Sequence, residues 1–235
     1  MDGTSNFYGV HSVTLYVDSV QVFNSTTDKV LPDENRMING FTDYEELTRT
    51  RRLIMRSYKL PGNRLRLLHP NENRGAVTID EERDYHFRYV LEDNFGNRRT
   101  YQFIVKGKRQ DIPEYKPEAN EMLYWNRTNV IQKPGMELVV PRYYVYEDVP
   151  LRTDMRGDSS HIAFDYILDA GRTPIHSYCD LSIGLRHMPV ADTTKYYIVQ
   201  KAGKRRSSMR GKYDTGWIKT RVRSLGTFSE DVDTI

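Results

Sequence analysis

From His11 to Asn24 apolar and polar positions alternate. Val13, Leu15 and Val17 are separated by Thr14 and Tyr16, and Val20 and Val22 resume after Asp18-Ser19. A period of two with a two-residue polar break predicts a β-hairpin, because successive strand side chains point to opposite faces. The pattern returns from Tyr85 to Val105, where Tyr85, Phe87 and Tyr89 alternate with His86 and Arg88, and Tyr101, Phe103 and Val105 follow. Asp93-Asn94-Phe95-Gly96-Asn97 supplies the turn of this second hairpin. Between the two, Thr42-Asp43-Tyr44-Glu45 has the form of a capping box and helix-tolerant residues continue to Arg52, which predicts one short helix near 43–52. Leu53 to Leu60 and Leu65 to Leu68 stop at Pro61-Gly62-Asn63 and His69-Pro70-Asn71, both of them turn chemistry.

Apolar content disappears at Lys106-Gly107-Lys108-Arg109-Gln110-Asp111, which leads to Ile112-Pro113 and Pro117. This is the best boundary in the chain and divides it into residues 7–112 and 113–235. Beyond it, short apolar runs lie at Met136 to Val140, Tyr143 to Tyr146, Ile162 to Leu168, Tyr178 to Leu185, Tyr196 to Gln200, Trp217 to Val222 and Thr227 to Val232. Strand-like runs at roughly 8–12-residue spacing predict a β-sandwich, and the lack of βαβ alternation removes Rossmann and barrel enzymes. The expected fold is all-β: two tandem immunoglobulin-like β-sandwich modules with one short helix in the first.

Composition supports that class. Seventeen Tyr against eight Phe suits strands with half-buried faces. A net charge of +3 from 35 basic and 32 acidic residues gives no reason to expect a nucleic-acid partner. One Cys excludes an internal disulfide framework and a Cys-based zinc cluster. No stretch approaches the roughly 20 apolar residues of a spanning helix, so no membrane span is expected. Residues 1–10 lack the basic and apolar regions of a signal peptide, as expected of a fragment of a longer protein.

Candidate chemistry is sparse. His176 and Asp180 have the His-x-x-x-Asp spacing of two zinc ligands, but the chain has no His-x-His to complete such a site. On a strand, positions four apart lie about 13 Å apart, too far to share an ion. Cys179 sits in an alternating apolar run, where a lone Cys is a core residue. No Gly-x-Ser-x-Gly elbow exists, and the adjacent acids Glu45-Glu46 and Asp80-Glu81-Glu82 read as solvated rather than as a pair across a cleft. Neither a catalytic nor a metal-ligating residue is therefore assigned, and no cofactor is expected in this chain. Two binding candidates remain. The basic run from Lys201 to Lys212 reads as a hairpin loop in which Lys204, Arg205, Arg206 and Arg210 would contact anions. Tyr144, Tyr146 and Trp125 would offer rings to a ligand, with alternation placing Tyr144 and Tyr146 on one face and Tyr143 on the other.

The ordered series Gly9 to Asp18 followed by Val20 to Phe23, Asn39 to Glu46, Pro61 to Leu65 and Asp93 to Asn97 resembles the non-catalytic region that follows the peptidase domain in bacterial lysostaphin/LytM-type, family-23 zinc metallopeptidases. Pro174 to His176, Gly211 to Trp217, Leu225 to Phe228 and Asp231 to Thr234 look like the second sandwich of that region. The resemblance implies a cell-envelope protein, periplasmic or extracellular, whose upstream domain carries the zinc and cuts peptidoglycan. This chain would then be an accessory region, with that peptidase domain and peptidoglycan or another envelope polymer as partners. A stand-alone carbohydrate-binding or adhesin-like surface module is the alternative.

Overall fold

The computed structural model describes residues 10–114, 116–157, 161–169, 171–202 and 205–233. The chain is all-β in class and separates into two compact units, residues 1–115 and 116–235.

The first unit contains one five-stranded antiparallel sheet. Its strands are β1 (Ser12–Val17), β2 (Val20–Thr26), β3 (Leu68–Pro70), β4 (Asp84–Glu92) and β5 (Arg98–Lys106), in the order β3-β2-β1-β4-β5. Both expected hairpins form. Asp18 and Ser19 each take positive φ, 49° and 70°, the backbone of a two-residue turn whose twist matches its strands. In the second hairpin the Asp93 carboxylate accepts the N–H groups of Phe95 and Asn97, and Gly96 takes φ +83°. The described residues of this unit supply one sheet and no second sheet packed on it. Residues 27–67 cover the sheet instead, with a 3-10 turn at Asn35–Met37, helix α1 (Ile38–Phe41) and helix α2 (Tyr44–Thr50). Met37 and Leu65 from this lid join Leu15, Val17, Val22, Phe23, Leu68 and Tyr85 in a small core.

Polar bonds fasten the lid where apolar area is scarce. The buried Glu34 carboxylate accepts from Arg66 at 2.7 and 3.0 Å and from the Leu31 N–H at 3.0 Å. These bonds, the Arg66 pair first, hold its carboxyl at about 2. Buried Asn63 donates to the Met37 carbonyl and accepts the Leu65 N–H, which ties the Pro61-Gly62-Asn63 turn to the lid.

The second unit is a two-sheet sandwich. Its strands are β6 (Glu121–Leu123), β7 (Asn129–Lys133), β8 (Met136–Val140), β9 (Val149–Arg156), β10 (Asp165–Asp169), β11 (Cys179–Gly184), β12 (Tyr196–Ala202), β13 (Arg205–Arg210), β14 (Lys212–Asp214), β15 (Trp217–Val222) and β16 (Gly226–Val232). One sheet runs β13-β12-β16-β10-β9-β6 and the other β14-β15-β11-β8-β7, with all pairs antiparallel. Alternate residues of both sheets, among them Leu138, Leu151, Tyr166, Leu181, Ile183, Ile198, Ile218 and Phe228, fill the space between them. Cys179 belongs to this core, and burial pushes its thiol up to about 12, which fits the reading of an unreactive packing residue. Tyr166 spans the layers and donates to the Pro134 carbonyl at 2.8 Å. Beside it Gly135 has φ +76°, and a Cβ there would stand 2.6 Å from the Tyr166 oxygen, so only glycine fits this turn between β7 and β8.

Candidate functional site

The aromatic residues of the second unit gather without forming a strand. Residues 143–146 were expected to alternate as one, but Tyr143 takes φ +67° in a turn closed by the Tyr144 N–H donating to the Pro141 carbonyl. The turn achieves what alternation was expected to do. Tyr143 goes one way, with its N–H on the Trp125 carbonyl at 2.9 Å and its ring 5.9 Å from the Trp125 ring. Tyr144 and Tyr146 go the other way, and both rings stand steeply inclined to the His176 ring, with centroids 5.9 and 6.1 Å from it. The His176 N–H donates to the Tyr144 carbonyl, and its Nδ1 lies 3.2 Å from the Tyr146 hydroxyl.

This arrangement sorts the three predicted ligand-contacting rings. Tyr146 is buried, at 3% exposed, so its ring is a support for His176 rather than a platform. Tyr144 and Trp125 are half-buried and keep part of their rings accessible. His176 is spent in this support and precedes β11, whereas Asp180 lies exposed on β11, so the two do not act as a ligand pair. No group of three His, Cys, Asp or Glu among the described residues converges as a metal site requires. The zinc of the resembling peptidases therefore finds no fitting donor set among them.

Next to the aromatic cluster, an open cleft of about 810 Å³ runs along the sandwich edge between β6 and β7. Its wall includes Tyr124, with the Arg127 guanidinium 3.8 Å from the ring centroid, and the exposed side chains of Met122 and Val130. Buried Asn129 shapes this wall by accepting the Tyr124 N–H and donating to the carbonyls of Tyr124 and Arg127. Asn120 closes one end through reciprocal bonds with the Thr153 backbone at 2.8 Å. An aromatic face, a cation over it and amide side chains at an open edge suit a hydrated chain polymer with polar and apolar faces. The sequence pairs Tyr124 with Trp125 as an aromatic dipeptide, but only Trp125 was put forward as a ligand contact, and Arg127 was missed. The signal for Tyr124 and Arg127 was the polar break at 126–129 between Leu123 and Ile131, which marks a loop carrying an aromatic pair.

The basic segment also differs from expectation. Arg205, Arg206 and Arg210 lie on β13, an edge strand, and not in a loop, because six backbone pairs with β12 extend the sheet through them. Arg206 stands 3.6 Å from Asp231, and Arg210 borders a cleft that also holds Asp192 and Asp233, so acids offset this charge. Lys204 lies outside the described residues.

Among the described residues no helix is long and apolar enough to cross a membrane. Neither the curated proteins nor the solved structures contain a match to the chain. Residues 120–233, just under half of the chain and nearly all of the sandwich unit, are similar to the Zu5-like domain family.

Proposed function

We propose that the chain is a non-catalytic accessory region of a cell-envelope murein metallopeptidase, positioning or restraining the peptidase while its second unit contacts the envelope polymer. The observation that carries this reading is the open edge cleft walled by Tyr124 and Arg127, whose aromatic face, cation and amide side chains support the holding of a chain. The resemblance supports it as well, because the first four resembling segments fall on the elements that build the first unit: the Asp18-Ser19 turn, the α1–α2 lid, the Asn63 staple and the Asp93 hairpin turn. Incubating the purified chain with insoluble peptidoglycan sacculi tests the reading. The chain is expected to sediment with the sacculi and to release no soluble fragments, and Tyr124→Ala is expected to weaken sedimentation about tenfold. A chain that stays in the supernatant, or one that releases muropeptides, overturns it.

The tilted pair of rings of Trp125 and Tyr143, 5.9 Å apart, favours a second reading, a stand-alone carbohydrate-binding module. Binding to glycan strands stripped of their peptides, lost in Trp125→Ala, supports that alternative.

A further inference from the structure

Among the described residues six strands close the three sheets: β3 and β5, β13 and β6, β14 and β7. Three of these edges are three residues long, β7 has five and β13 six, whereas β5 has nine. Edges are ordinarily blunted by shortness, by charge, by proline or by a bulge. β13 follows that rule with Arg205-Arg206-Ser207-Ser208-Met209-Arg210. β5 carries charge only at its ends, at Arg98, Arg99 and Lys106; residues 100–105 have none, the strand contains no proline, and its ladder with β4 runs from Asp84↔Lys106 to Glu92↔Arg98 without a register shift. Midway along it Tyr101, Phe103 and Ile104 are each about half exposed.

The apolar character is ordered. The Phe103 ring stacks 5.1 Å from Phe87 and 6.3 Å from Tyr89, so the aromatic row of the core face continues outward to the sheet edge and ends uncovered. Ile104 occupies the opposite face, and a depression of about 590 Å³ with Phe87, Phe103 and Ile104 on its wall lies against the middle of the strand. An added strand would pair with the outward backbone groups of β5 and bury these side chains between its own.

We propose that β5 is a docking edge for an antiparallel strand from an acidic polypeptide segment. Charge selects that occupant. Residues 98–109 hold Arg98, Arg99, Lys106, Lys108 and Arg109 and no acid. On β4 Glu92 pairs with Arg98 at 2.7 Å and Asp84 stands opposite Lys106, so the sheet already runs from acid to base at both ends, and acids on the next strand continue the ladder. A second copy of this chain is the poorer partner. Antiparallel pairing of all nine residues centres on Gln102 and sets Arg98 against Lys106 twice, which juxtaposes like charges. The proposal is independent of the cleft in the second unit.

A fluorescein-labelled peptide with the sequence Glu-Val-Thr-Val-Thr-Val-Thr-Glu-Glu places valines beside Val105, Phe103 and Tyr101 and acids beside Lys106, Arg99 and Arg98. Fluorescence anisotropy with the full chain is expected to show binding that weakens with salt, and at least about tenfold weaker binding of the counterpart with lysine in place of glutamate. Amide exchange along β5 is expected to slow. The variant Phe103→Lys/Ile104→Lys, or Ile104→Lys alone should the double variant unfold, is expected to lose binding while keeping the native circular dichroism. The proposal is overturned by no binding up to about 1 mM peptide, by equal binding of both peptides, by binding that survives in the folded variants, or by a dimer of the chain that those variants dissociate.

Discussion

Glu34 in the first unit and Glu230 in the second are both buried, at 3% and 9% exposed, yet the first is held as an anion and the second as a neutral acid. Glu34 sits where a lid meets a sheet, and Arg66 reaches it with its own head still in water. Glu230 lies on β16 two residues from Phe228, on the same face and directed between two sheets, and among the described residues neither carboxyl oxygen finds a hydrogen-bond partner. Desolvation pushes its carboxyl up to about 8. The contrast reflects architecture. Among the described residues, a cluster of eight buried apolar side chains holds the one-sheet unit, so ionic and amide bonds at its lid carry part of the fold, whereas a cluster of twenty fills the sandwich and tolerates a polar misfit.

The largest expected effect tests the claim that the sandwich rests on its dry core. Phe228→Ala deletes a fully buried ring between the sheets and is expected to cost about 3–5 kcal/mol, read from denaturant unfolding with amide exchange over β12 and β16. A loss below about 1 kcal/mol would show that the sheets collapse readily onto the vacancy and that packing there is loose.

Next comes Glu230→Met, which replaces a buried acid by an apolar chain of similar length. Because the folded carboxyl titrates near 8 against an ordinary 4.5, the folded state holds a proton that the unfolded state has lost between those values. The stability contributed by the neutral form is therefore complete below about pH 4.5, falls as pH rises, and is gone above about pH 8. At pH 9 the variant is expected to be more stable than the parent by on the order of 2–4 kcal/mol and to lack that slope. An unchanged slope would assign the titration to another group.

These two residues also show what the sequence makes legible. Phe228 was placed in a strand because alternation is local, and the hairpins at 12–26 and 84–106 were legible for the same reason, with their turn residues adjacent in sequence. Alternation says which face is buried but not what covers it, so the lid over the first unit's sheet was not legible. Its lid residues Met37, Phe41 and Leu65 follow no period. β9 was hidden by Pro150 and its charges, and β13 by having no apolar face. The candidate site was legible as a list of rings, Trp125, Tyr144 and Tyr146, but not as an arrangement. The left-handed Tyr143 and the distant His176 set which ring is buried, and both act through contacts far apart in sequence.

Glu34→Gln carries the comparison to the first unit with the opposite sign. The native carboxyl titrates near 2, so its contribution is complete above an ordinary carboxylate value of about 4.5 and is lost as pH falls toward 2. The parent is expected to lose protection of the Leu31 and Arg66 amides progressively across that window, while the variant shows weak protection at every pH. A variant that matches the parent at neutral pH would show that the lid rests on its apolar contacts alone.

The smallest effect concerns α2, which buries no residue and so depends on its ends. Thr42 was expected to begin the helix, but the structure shifts the cap by one. Asp43 has extended backbone and its carboxylate accepts the Glu46 N–H at 3.0 Å, whereas the Thr42 side chain turns back and donates to the Ile38 carbonyl at 2.9 Å. Asp43→Ala is expected to cost about 1 kcal/mol, with faster amide exchange at Glu46, because it removes the acceptor and the negative charge at the helix start. Asp43→Asn keeps the acceptor and is expected to recover most of that loss. If Thr42 were the cap, the amide released would be that of Glu45, on substitution of Thr42, and Asp43→Ala would be nearly silent. The residue whose exchange changes therefore distinguishes the two caps even where the stability difference is small.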